Sequence, residues 1–290
     1  MEAGGDRGPL RVPASWRALE PEELRGAVLV VGATDRGKSS FARYLVGALA
    51  EAGGPVGWLD ADVGQSTLGA PATANLALVW RAAEALPPPE ATVFVGATSP
   101  VGHMLPCLVA VERLRRRAEA RGASALVVDT TGLVSPERGG VALKRWKAEL
   151  LQPCTVVALD REGELEPLLG PWERDSRFRV VRLAPPPGVR CRSLEERARR
   201  RRAKFRAALA GGREWTLPWE GLPIYGRELA APGRLLALQD EEGWTLGLGV
   251  CLSAEADRLR LYSPVPGPER VAGVRFGSVR LDPRTGEEGA

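Results

Sequence analysis

The chain has 290 residues and carries 40 basic against 36 acidic side chains, which gives a net charge of +4 at pH 7. With 44% hydrophobic residues it can bury a sizeable core, and its length favours one large and one small domain. Four scattered cysteines without a C-x-x-C pair, and a single histidine, argue against a disulfide framework and a structural zinc site.

No run of about 18 apolar residues occurs, and the N-terminus lacks a basic segment followed by an apolar one. We therefore expect a soluble, cytoplasmic protein. The first 24 residues contain Pro9, Pro13 and Pro21 and are predicted to form an N-terminal arm. We expect Trp16 within this arm to pack against another part of the protein.

The most informative motif follows the apolar run Ala27 to Val31. Residues 32–39 read G-x-x-x-x-G-K-S, and an amphipathic helix is predicted from about Lys38 to Ala52. In such a P-loop, backbone N–H groups and the positive end of the helix bind phosphate oxygens, the lysine reaches the outer phosphates, and the serine hydroxyl binds Mg²⁺. The residues predicted to bind the nucleotide are Gly32, Thr34, Asp35, Arg36, Gly37, Lys38, Ser39 and Ser40.

A second motif, L-D-A-D-V-G-Q-S, overlaps the end of the strand predicted from Val56 to Asp60. Ligands of open α/β sheets bind at the carboxyl ends of strands, so at least one of Asp60 and Asp62 is expected to face the triphosphate. A kinase that acts on an alcohol needs a carboxylate to accept the hydroxyl proton and further ligands to hold Mg²⁺. The alternative is that the two aspartates only cap a helix or stabilise a turn and have no role in catalysis.

The next segment, F-V-G-A-T-S-P-V-G-H, ends the strand predicted from Thr92 to Val95. It reaches the same edge of the sheet, where Thr98, Ser99 and His103 supply hydroxyls and an imidazole. We expect these side chains to contact polar groups of the substrate. A lone histidine is more often a structural hydrogen-bonding residue than a catalyst.

A further apolar strand, Leu126 to Asp129, ends in D-T-T-G. In P-loop proteins an aspartate at this position associates with Mg²⁺ and the glycine lies near the γ-phosphate, so Asp129 is predicted to bind the metal, and Thr131 and Gly132 the substrate. The D-x-x-G pattern also occurs in GTPases. The N-K-x-D segment with which common GTPases recognise guanine is absent from the sequence, and a guanine switch is therefore disfavoured.

Strands and helices alternate up to about residue 210. Further strands are predicted over Thr155 to Leu159 and Arg179 to Leu183, and helices near Leu108 to Arg121 and Val141 to Leu150, with a proline-rich loop over Glu84 to Glu90. This alternation predicts an α/β fold, a P-loop NTPase domain with a mainly parallel sheet flanked by helices.

A helix rich in arginine follows. Ser193 is predicted to cap it, because Glu196 stands three residues later, and Arg197, Arg201 and Lys204 repeat on one face. In a P-loop kinase, a mobile helix that carries arginines over the phosphates acts as a lid. The alternative is a solvated basic helix. The density of positive charge favours a polyanion over a small metabolite.

From Trp215 the sequence changes to short apolar segments separated by glycine and proline, which predicts a small all-β domain. The segments are Leu235 to Leu238, Thr245 to Leu252, Arg258 to Tyr262 and Val271 to Leu281. The predicted division is an arm (1–24), a P-loop domain (25–212) with a lid helix over about 192–210, and a β domain (213–290).

The motifs GATDRGKSS, LDADVGQS, FVGATSPVGH, VDTTGL and R-S-x-x-x-R stand in an order that resembles the polynucleotide 5′-hydroxyl kinase family, whose eukaryotic members act in RNA processing. The resemblance covers roughly residues 28–210, and the chain looks like a compact prokaryotic member. It implies transfer of the γ-phosphate of ATP, with Mg²⁺, to the 5′-hydroxyl of single-stranded RNA or DNA. No association with a membrane is expected, and the protein partners are left open.

The resemblance also implies roles for individual residues. Lys38 matches the Walker A lysine, Asp62 the general base, and Arg197 the lid arginine that stabilises the transferring γ-phosphate. Arg192 matches a second lid arginine, which contacts the substrate. The implied metal-binding group consists of Ser39, Asp60, Gln65 and Asp129.

Two positions depart from the family's pattern. His103 stands where eukaryotic relatives carry an asparagine in a T-x-N motif, and Leu133 stands where they carry a tryptophan that stacks on the nucleic acid. The loss of this tryptophan puts base stacking in question and would relax the choice between RNA and DNA.

Other classes of function fit part of the sequence. A small-molecule kinase would share the phosphate-binding residues without needing the arginine helix. A GTPase or metallochaperone would hydrolyse GTP without an acceptor, and an ATP-binding scaffold in RNA processing would hold the nucleotide without turnover.

Overall fold

The computed structural model describes residues 12–24, 26–82 and 85–289. The first eleven residues of the predicted arm, and Glu84 at the start of the predicted loop, lie outside these ranges. The described residues form two seven-stranded sheets.

The first sheet is mainly parallel. Its strands are β1 (Gly26–Gly32), β2 (Val56–Ala61), β3 (Thr73–Val79), β4 (Ala91–Phe94), β5 (Ala125–Thr130), β6 (Thr155–Leu159) and β7 (Arg179–Leu183). They lie in the order β4-β3-β2-β5-β1-β6-β7, with β2, β5, β1, β6 and β7 mutually parallel. Only β3, absent from the predicted strands, runs against both of its neighbours. The predicted α/β class with a mainly parallel sheet is therefore confirmed.

Helices cover both faces of this sheet. They are α1 (Ala14–Arg17), α2 (Lys38–Ala52), α3 (Met104–Ala120), α4 (Gly140–Leu151), α5 (Glu166–Glu173) and α6 (Leu194–Ala208). One hydrophobic cluster joins the sheet to α2, and a second joins it to α3, α4 and α5. Strands β2 and β5 are buried along their whole length, as expected for strands covered on both faces.

The N-terminal segment packs on α2. Trp16 is 1% exposed, and its ring lies 5.2 Å from the ring of Phe41 and 5.7 Å from that of Tyr44. The edge-to-face contact with Phe41 is a geometry that aromatic pairs prefer. The segment around Trp16 therefore shares the core of the P-loop domain.

Replacing Trp16 by alanine is expected to lower the free energy of unfolding by about 3–5 kcal/mol, because a large buried ring is removed from a packed core. Urea unfolding followed by circular dichroism measures the change. Trp146→Ala is the matched control, since Trp146 is 64% exposed and its removal leaves no cavity. Equal stability of the two variants would contradict the packing role of Trp16.

The second sheet contains the predicted β segments. Its strands are β8 (Arg213–Pro218), β9 (Ile224–Tyr225), β10 (Arg234–Gln239), β11 (Thr245–Ala254), β12 (Arg258–Ser263), β13 (Gly273–Leu281) and β14 (Glu288–Gly289). They pair antiparallel in the order β14-β13-β10-β11-β12-β8, and β9 adds to β13 in parallel. We call this part of the chain the β module.

Helix α6 joins the two sheets. Phe205 near its end is fully buried and shares a hydrophobic cluster with Phe94 of the first sheet and with Leu235 and Val250 of the second. The carboxyl half of the arginine helix is thus anchored in a core, and its amino half extends toward the P-loop. Among the described residues, no helix has the length and apolar character needed to cross a membrane.

Candidate active site

The P-loop connects β1 to α2 at the carboxyl edge of the first sheet. Gly37 has a φ of +87°, a left-handed conformation that glycine adopts without strain, and it lets the chain turn into the helix. The loop that follows β5 packs closely beside it, because a Cβ on Gly132 would lie 2.4 Å from the Thr34 hydroxyl oxygen. Any larger residue at Gly132 would push these two loops apart.

Lys38 lies inside this edge of the sheet with only 6% of its surface exposed. Its ammonium group donates a hydrogen bond of 2.8 Å to the carbonyl of Ala33. Burial lowers the pKa of Lys38, whereas the carboxylates of Asp129 and Asp62 raise it. The buried cation therefore faces acidic groups and the cleft where an anionic ligand would bind.

Asp129 ends β5 next to β1 and β2, in register with Val30 and Asp60. It is fully buried, and neither carboxylate oxygen has a hydrogen-bond partner among the described residues. Burial raises the pKa of this carboxyl, with a further contribution from Asp60, whereas Lys38 and the nearby Ser39 hydroxyl lower it. A buried carboxylate without a partner is a strong candidate for a cation ligand.

Asp60 has a different environment. Its carboxylate accepts hydrogen bonds from the Ser66 hydroxyl at 2.8 Å and from the backbone N–H groups of Asp62, Thr67 and Leu68 at 3.1, 2.5 and 2.9 Å. These bonds occupy both oxygens within the 62–68 segment. The Asp60 carboxylate thus shapes the loop that carries Asp62, and its role as a metal ligand stays a prediction.

Asp62 lies in the loop that follows β2. Its Oδ1 accepts hydrogen bonds of 3.0 Å from the backbone N–H groups of Gly64 and Gln65. Among the described residues, nothing donates a hydrogen bond to Oδ2, and the side chain lines the cleft. One oxygen thus fixes the carboxylate while the other is available to a ligand.

Helix α6 lies against the P-loop through ion pairs with Asp35. Arg197 Nη2 lies 2.8 Å from Asp35 Oδ2, and Arg192 Nη1 lies 3.1 Å from Oδ1, while the Arg192 backbone N–H also donates to this carboxylate. Burial acts to raise the pKa of Asp35, but the hydrogen bonds from Arg192 and Arg197 hold it below its usual value. Both predicted lid arginines therefore reach the phosphate-binding loop.

The opposite side of α6 makes no such contacts. Arg199 is 70% exposed, and within the described part of the chain its ion pair is with Glu195 of its own helix. The start of the helix is held by the predicted capping box between Ser193 and Glu196. The face of Arg197 contacts the P-loop and the face of Arg199 is solvated, and a lid role for the Arg197 face stays a prediction.

Arg36 lines the cleft, but its side chain is engaged by a neighbouring acidic residue. Its guanidinium makes a two-pronged ion pair with Glu164, at 2.6 and 2.7 Å, in the loop before α5. The side chain anchors the P-loop to the neighbouring segment, and the nucleotide contact of Arg36 stays a prediction. No sequence pattern indicated Glu164 as its partner.

The loop of residues 97–103 follows β4 and packs beside the loop of Asp62, because a Cβ on Gly64 would lie 2.7 Å from the Thr98 carbonyl. Thr98 and Ser99 line the same cleft as Lys38 and Asp62. His103 instead lines a smaller, neighbouring cleft, and its Nδ1 lies 3.2 Å from the Val101 carbonyl. The structure therefore places His103 outside the cleft of Lys38 and Asp62 but beside Thr98 and Ser99, which line both clefts.

The main cleft has a volume of about 2620 Å³ and lies between the P-loop, the loops after β2, β4 and β5, and α6. It brings together most of the predicted site. The predicted residues that line it are Thr34, Asp35, Arg36, Gly37, Lys38, Ser39, Ser40, Asp62, Gln65, Thr98, Ser99, Thr131, Gly132, Arg192 and Arg197. Leu133, at the position of the family's tryptophan, also lines it.

Two supporting residues were absent from the predicted site. Lys144 of α4 is fully buried and donates hydrogen bonds of 2.8 and 2.7 Å to the carbonyls of Thr131 and Leu133, which holds the loop after β5. Glu288 of β14 accepts from Thr98 at 3.1 Å and pairs with Arg201 of α6 at 2.7 Å. The contacts of Lys144 could not be predicted because a lysine in a helix usually lies on the surface. The contact of Glu288 could not be predicted because Glu288 is 190 positions from Thr98 in the sequence.

Comparison with known proteins gives a consistent set of similarities. The sequence model of the mRNA cleavage and polyadenylation factor CLP1 P-loop matches residues 32–211. A polyribonucleotide 5′-hydroxyl-kinase of Pyrococcus furiosus is 30% identical over 315 aligned positions, which cover 88% of this chain and 87% of that protein. A protein of the same name from Methanocaldococcus jannaschii is 30% identical over 217 positions, 74% of this chain, and the match spans 58% of its own length.

Among solved structures, the Clp1p chain of a Clp1p–Pcf11p complex superposes with a TM-score of 0.66. The superposition covers 88% of this chain and 74% of that chain, at 15% sequence identity. At this identity the similarity concerns the fold.

Proposed function

The chain belongs to the CLP1 P-loop family, and from this premise we propose that it is an ATP-dependent polynucleotide 5′-hydroxyl kinase. The observation that carries the proposal is the convergence in one cleft of a phosphate-binding lysine, a carboxylate with one free oxygen and a lid arginine: Lys38, Asp62 and Arg197. Relatives named polyribonucleotide 5′-hydroxyl-kinase support RNA as the first acceptor to test.

The nucleotide and its metal would bind on the P-loop side of the cleft. Ser39 and Asp129 would hold Mg²⁺, because Asp129 offers two buried oxygens without partners beside the Ser39 hydroxyl. Gln65 donates its side-chain amide to the Arg197 carbonyl at 3.2 Å, and its role toward the metal stays a prediction. Bound Mg²⁺ would supply positive charge that offsets the negative charge of the ATP phosphates.

The acceptor would enter from the side of the 97–103 loop. Thr98 and Ser99 line the cleft there, within the same wall as Asp62, and supply polar groups that orient the 5′-hydroxyl. The free oxygen of Asp62 accepts the hydroxyl proton as the oxygen attacks the γ-phosphorus. The bond to the β-phosphate oxygen of ATP breaks, which gives ADP and a 5′-phosphorylated strand.

Lys38 and Arg197 stabilise the transferring phosphoryl group from two sides. The Lys38 ammonium group is positioned by its hydrogen bond to the Ala33 carbonyl. The Arg197 guanidinium is positioned beside the P-loop by its ion pair with Asp35. An incoming γ-phosphate competes with Asp35 for the same guanidinium. Asp35 thus keeps the lid arginine close to its place of action before the nucleotide arrives.

Replacing Arg197 by alanine is expected to lower kcat by about 10³-fold with little change in the KM for ATP, because a lid arginine acts mainly on the charge of the transition state. Steady-state kinetics with a saturating acceptor measure this. Arg199→Ala is the matched control on the exposed side of the same helix, and it should retain wild-type turnover. A kcat within twofold of wild type for Arg197→Ala would remove this residue from catalysis.

The kinase activity itself is tested with γ-labelled ATP, Mg²⁺ and 5′-hydroxyl RNA and DNA oligonucleotides of the same sequence. The control acceptors carry a 5′-phosphate and should take no label. Label on the 5′ end supports the proposal, and the ratio of RNA to DNA gives the preference. Label on free nucleosides only would favour a small-molecule kinase. Hydrolysis of GTP without an acceptor would favour a GTPase or metallochaperone. Binding of ATP without transfer would favour a scaffold. As part of the proposal, the reaction takes place in the cytoplasm.

A further inference from the structure

A second, smaller cleft lies on the outer side of the 97–103 loop. Its volume of about 510 Å³ is in the range of small-ligand sites. One wall is formed by Thr98, Ser99 and His103, and the other by Arg234 and Arg280 of the β module. Because Thr98 and Ser99 also line the main cleft, the two clefts share a wall.

The β module is attached firmly to this loop. The backbone N–H and the hydroxyl of Ser278 in β13 both donate to the Gly96 carbonyl, at 2.8 and 3.1 Å. A Cβ on Gly277 would lie 2.6 Å from that carbonyl oxygen, so the two backbones meet without space for a side chain. The position of the second wall relative to the loop is therefore well defined.

Two arginines stand side by side in the second wall. Arg234 of β10 and Arg280 of β13 are register partners in adjacent antiparallel strands, so their side chains lie on the same face of the sheet. Like charges in such pairs repel and destabilise the sheet unless an anion lies between them. An anion bound between the two guanidinium groups would offset this repulsion.

Neither arginine is neutralised by an acidic partner. Arg234 donates to the Ser278 carbonyl, while its Nε is buried without a hydrogen-bond partner in the described part of the chain. Arg280 is exposed, and its side chain makes no hydrogen bond or ion pair with the residues that the structure describes. Among the described residues that line this cleft, the one carboxylate is that of Glu288, which is engaged by Thr98 and Arg201.

We propose that this second cleft binds the phosphodiester backbone of the acceptor strand beyond its first internucleotide phosphate. The proposal rests on the proposed kinase function and assigns a substrate-binding role to the β module. The 5′-hydroxyl lies beside Asp62 in the main cleft, and the strand passes over the shared wall at Thr98 and Ser99. Its next phosphates then meet Arg234 and Arg280. The exposed edge of His103 faces the same passage and offers a ring for contact with a base.

The test compares a long and a short acceptor with the same enzyme variants. Arg280→Ala is the main variant because Arg280 is exposed and its loss leaves the fold intact; Arg280→Lys keeps the charge. For a ten-nucleotide 5′-hydroxyl RNA, we expect the KM of Arg280→Ala to rise about tenfold and the salt dependence of binding to lose about one unit of slope. For a nucleoside 3′-monophosphate, which cannot reach the second cleft, KM should stay at the wild-type value.

Arg260→Ala is the matched control. Arg260 is an arginine of β12 that pairs with Glu214 away from the cleft, and its removal changes the net charge equally. Arg280→Lys should recover most of the affinity for the long acceptor.

The ratio of the KM for the long acceptor to the KM for the short acceptor is compared between Arg280→Ala and wild type. Equal ratios would overturn the assignment of the cleft and leave the kinase function standing. An equal loss in Arg260→Ala would also overturn it, because the effect would then come from net charge. If the wild-type protein labels neither acceptor, the proposed function fails, and the assignment of the cleft fails with it.

Discussion

Replacing Asp62 by asparagine is expected to lower kcat by about 10²–10⁴-fold, the usual contribution of a general base, while ATP affinity stays near the wild-type value. The asparagine cannot accept the hydroxyl proton. Its side-chain oxygen can still accept the hydrogen bonds that Asp62 Oδ1 receives from Gly64 and Gln65, so the loop keeps its conformation. The measurement is single-turnover transfer from ATP to a 5′-hydroxyl RNA, with nucleotide affinity determined separately by titration.

The matched control is Asp282→Asn. Asp282 Oδ1 also accepts from two backbone N–H groups, those of Arg284 and Thr285, but in a turn of the β module. This variant should transfer phosphate at the wild-type rate. Near-normal turnover in Asp62→Asn would mean that another group accepts the proton, and a loss of ATP binding would mean that the substitution acts on the P-loop instead.

Replacing Lys38 by alanine is expected to reduce both ATP binding and transfer, with the rate lowered by at least about 10³-fold. Lys38 is a buried cation that stands against Asp129 and Asp62. Without it, these carboxylates repel each other and the phosphates, so the ground state and the transition state both lose stabilisation.

The change is measured by nucleotide titration and by label transfer. Thermal unfolding serves as the folding control, because loss of a desolvated lysine should not lower the melting temperature in the way that loss of Trp16 does. Retention of more than a tenth of the wild-type rate would contradict the role of Lys38 in phosphate binding.

The P-loop domain could be predicted largely from local patterns. Strands β6 and β7 agree with their predicted bounds, because short β-branched runs bounded by breaks are clear signals. Strand β3 was not predicted, since its sequence T-A-N-L-A-L-V contains two alanines and an asparagine and lacks a dense β-branched run. Helix α5 was not predicted because Pro167 and Pro171 suggest breaks, although proline fits the first turn of a helix.

In the candidate site, the residues that line the cleft were easier to predict from the sequence than their hydrogen-bond partners. The sequence motifs placed Lys38, Asp62 and Arg197 in one cleft, and the structure brings them together. Asp60 and Asp62 look equivalent in the D-x-D motif, but the buried Asp60 accepts hydrogen bonds from the backbone of residues 67–68, whereas Asp62 faces the cleft. The difference in burial between the two carboxylates, which the sequence does not reveal, gives them different hydrogen-bond partners.

The sequence by itself determined the P-loop and its chemistry, because the glycines, Lys38 and Ser39 act within one strand-turn-helix unit whose geometry follows from local backbone preferences. Only the tertiary structure decided what surrounds that loop. Asp35 meets Arg197 at a separation of 162 positions, and Glu288 meets Thr98 at 190. Contacts of this kind depend on how sheets and helices pack, and packing is set by the whole core rather than by any segment's own pattern.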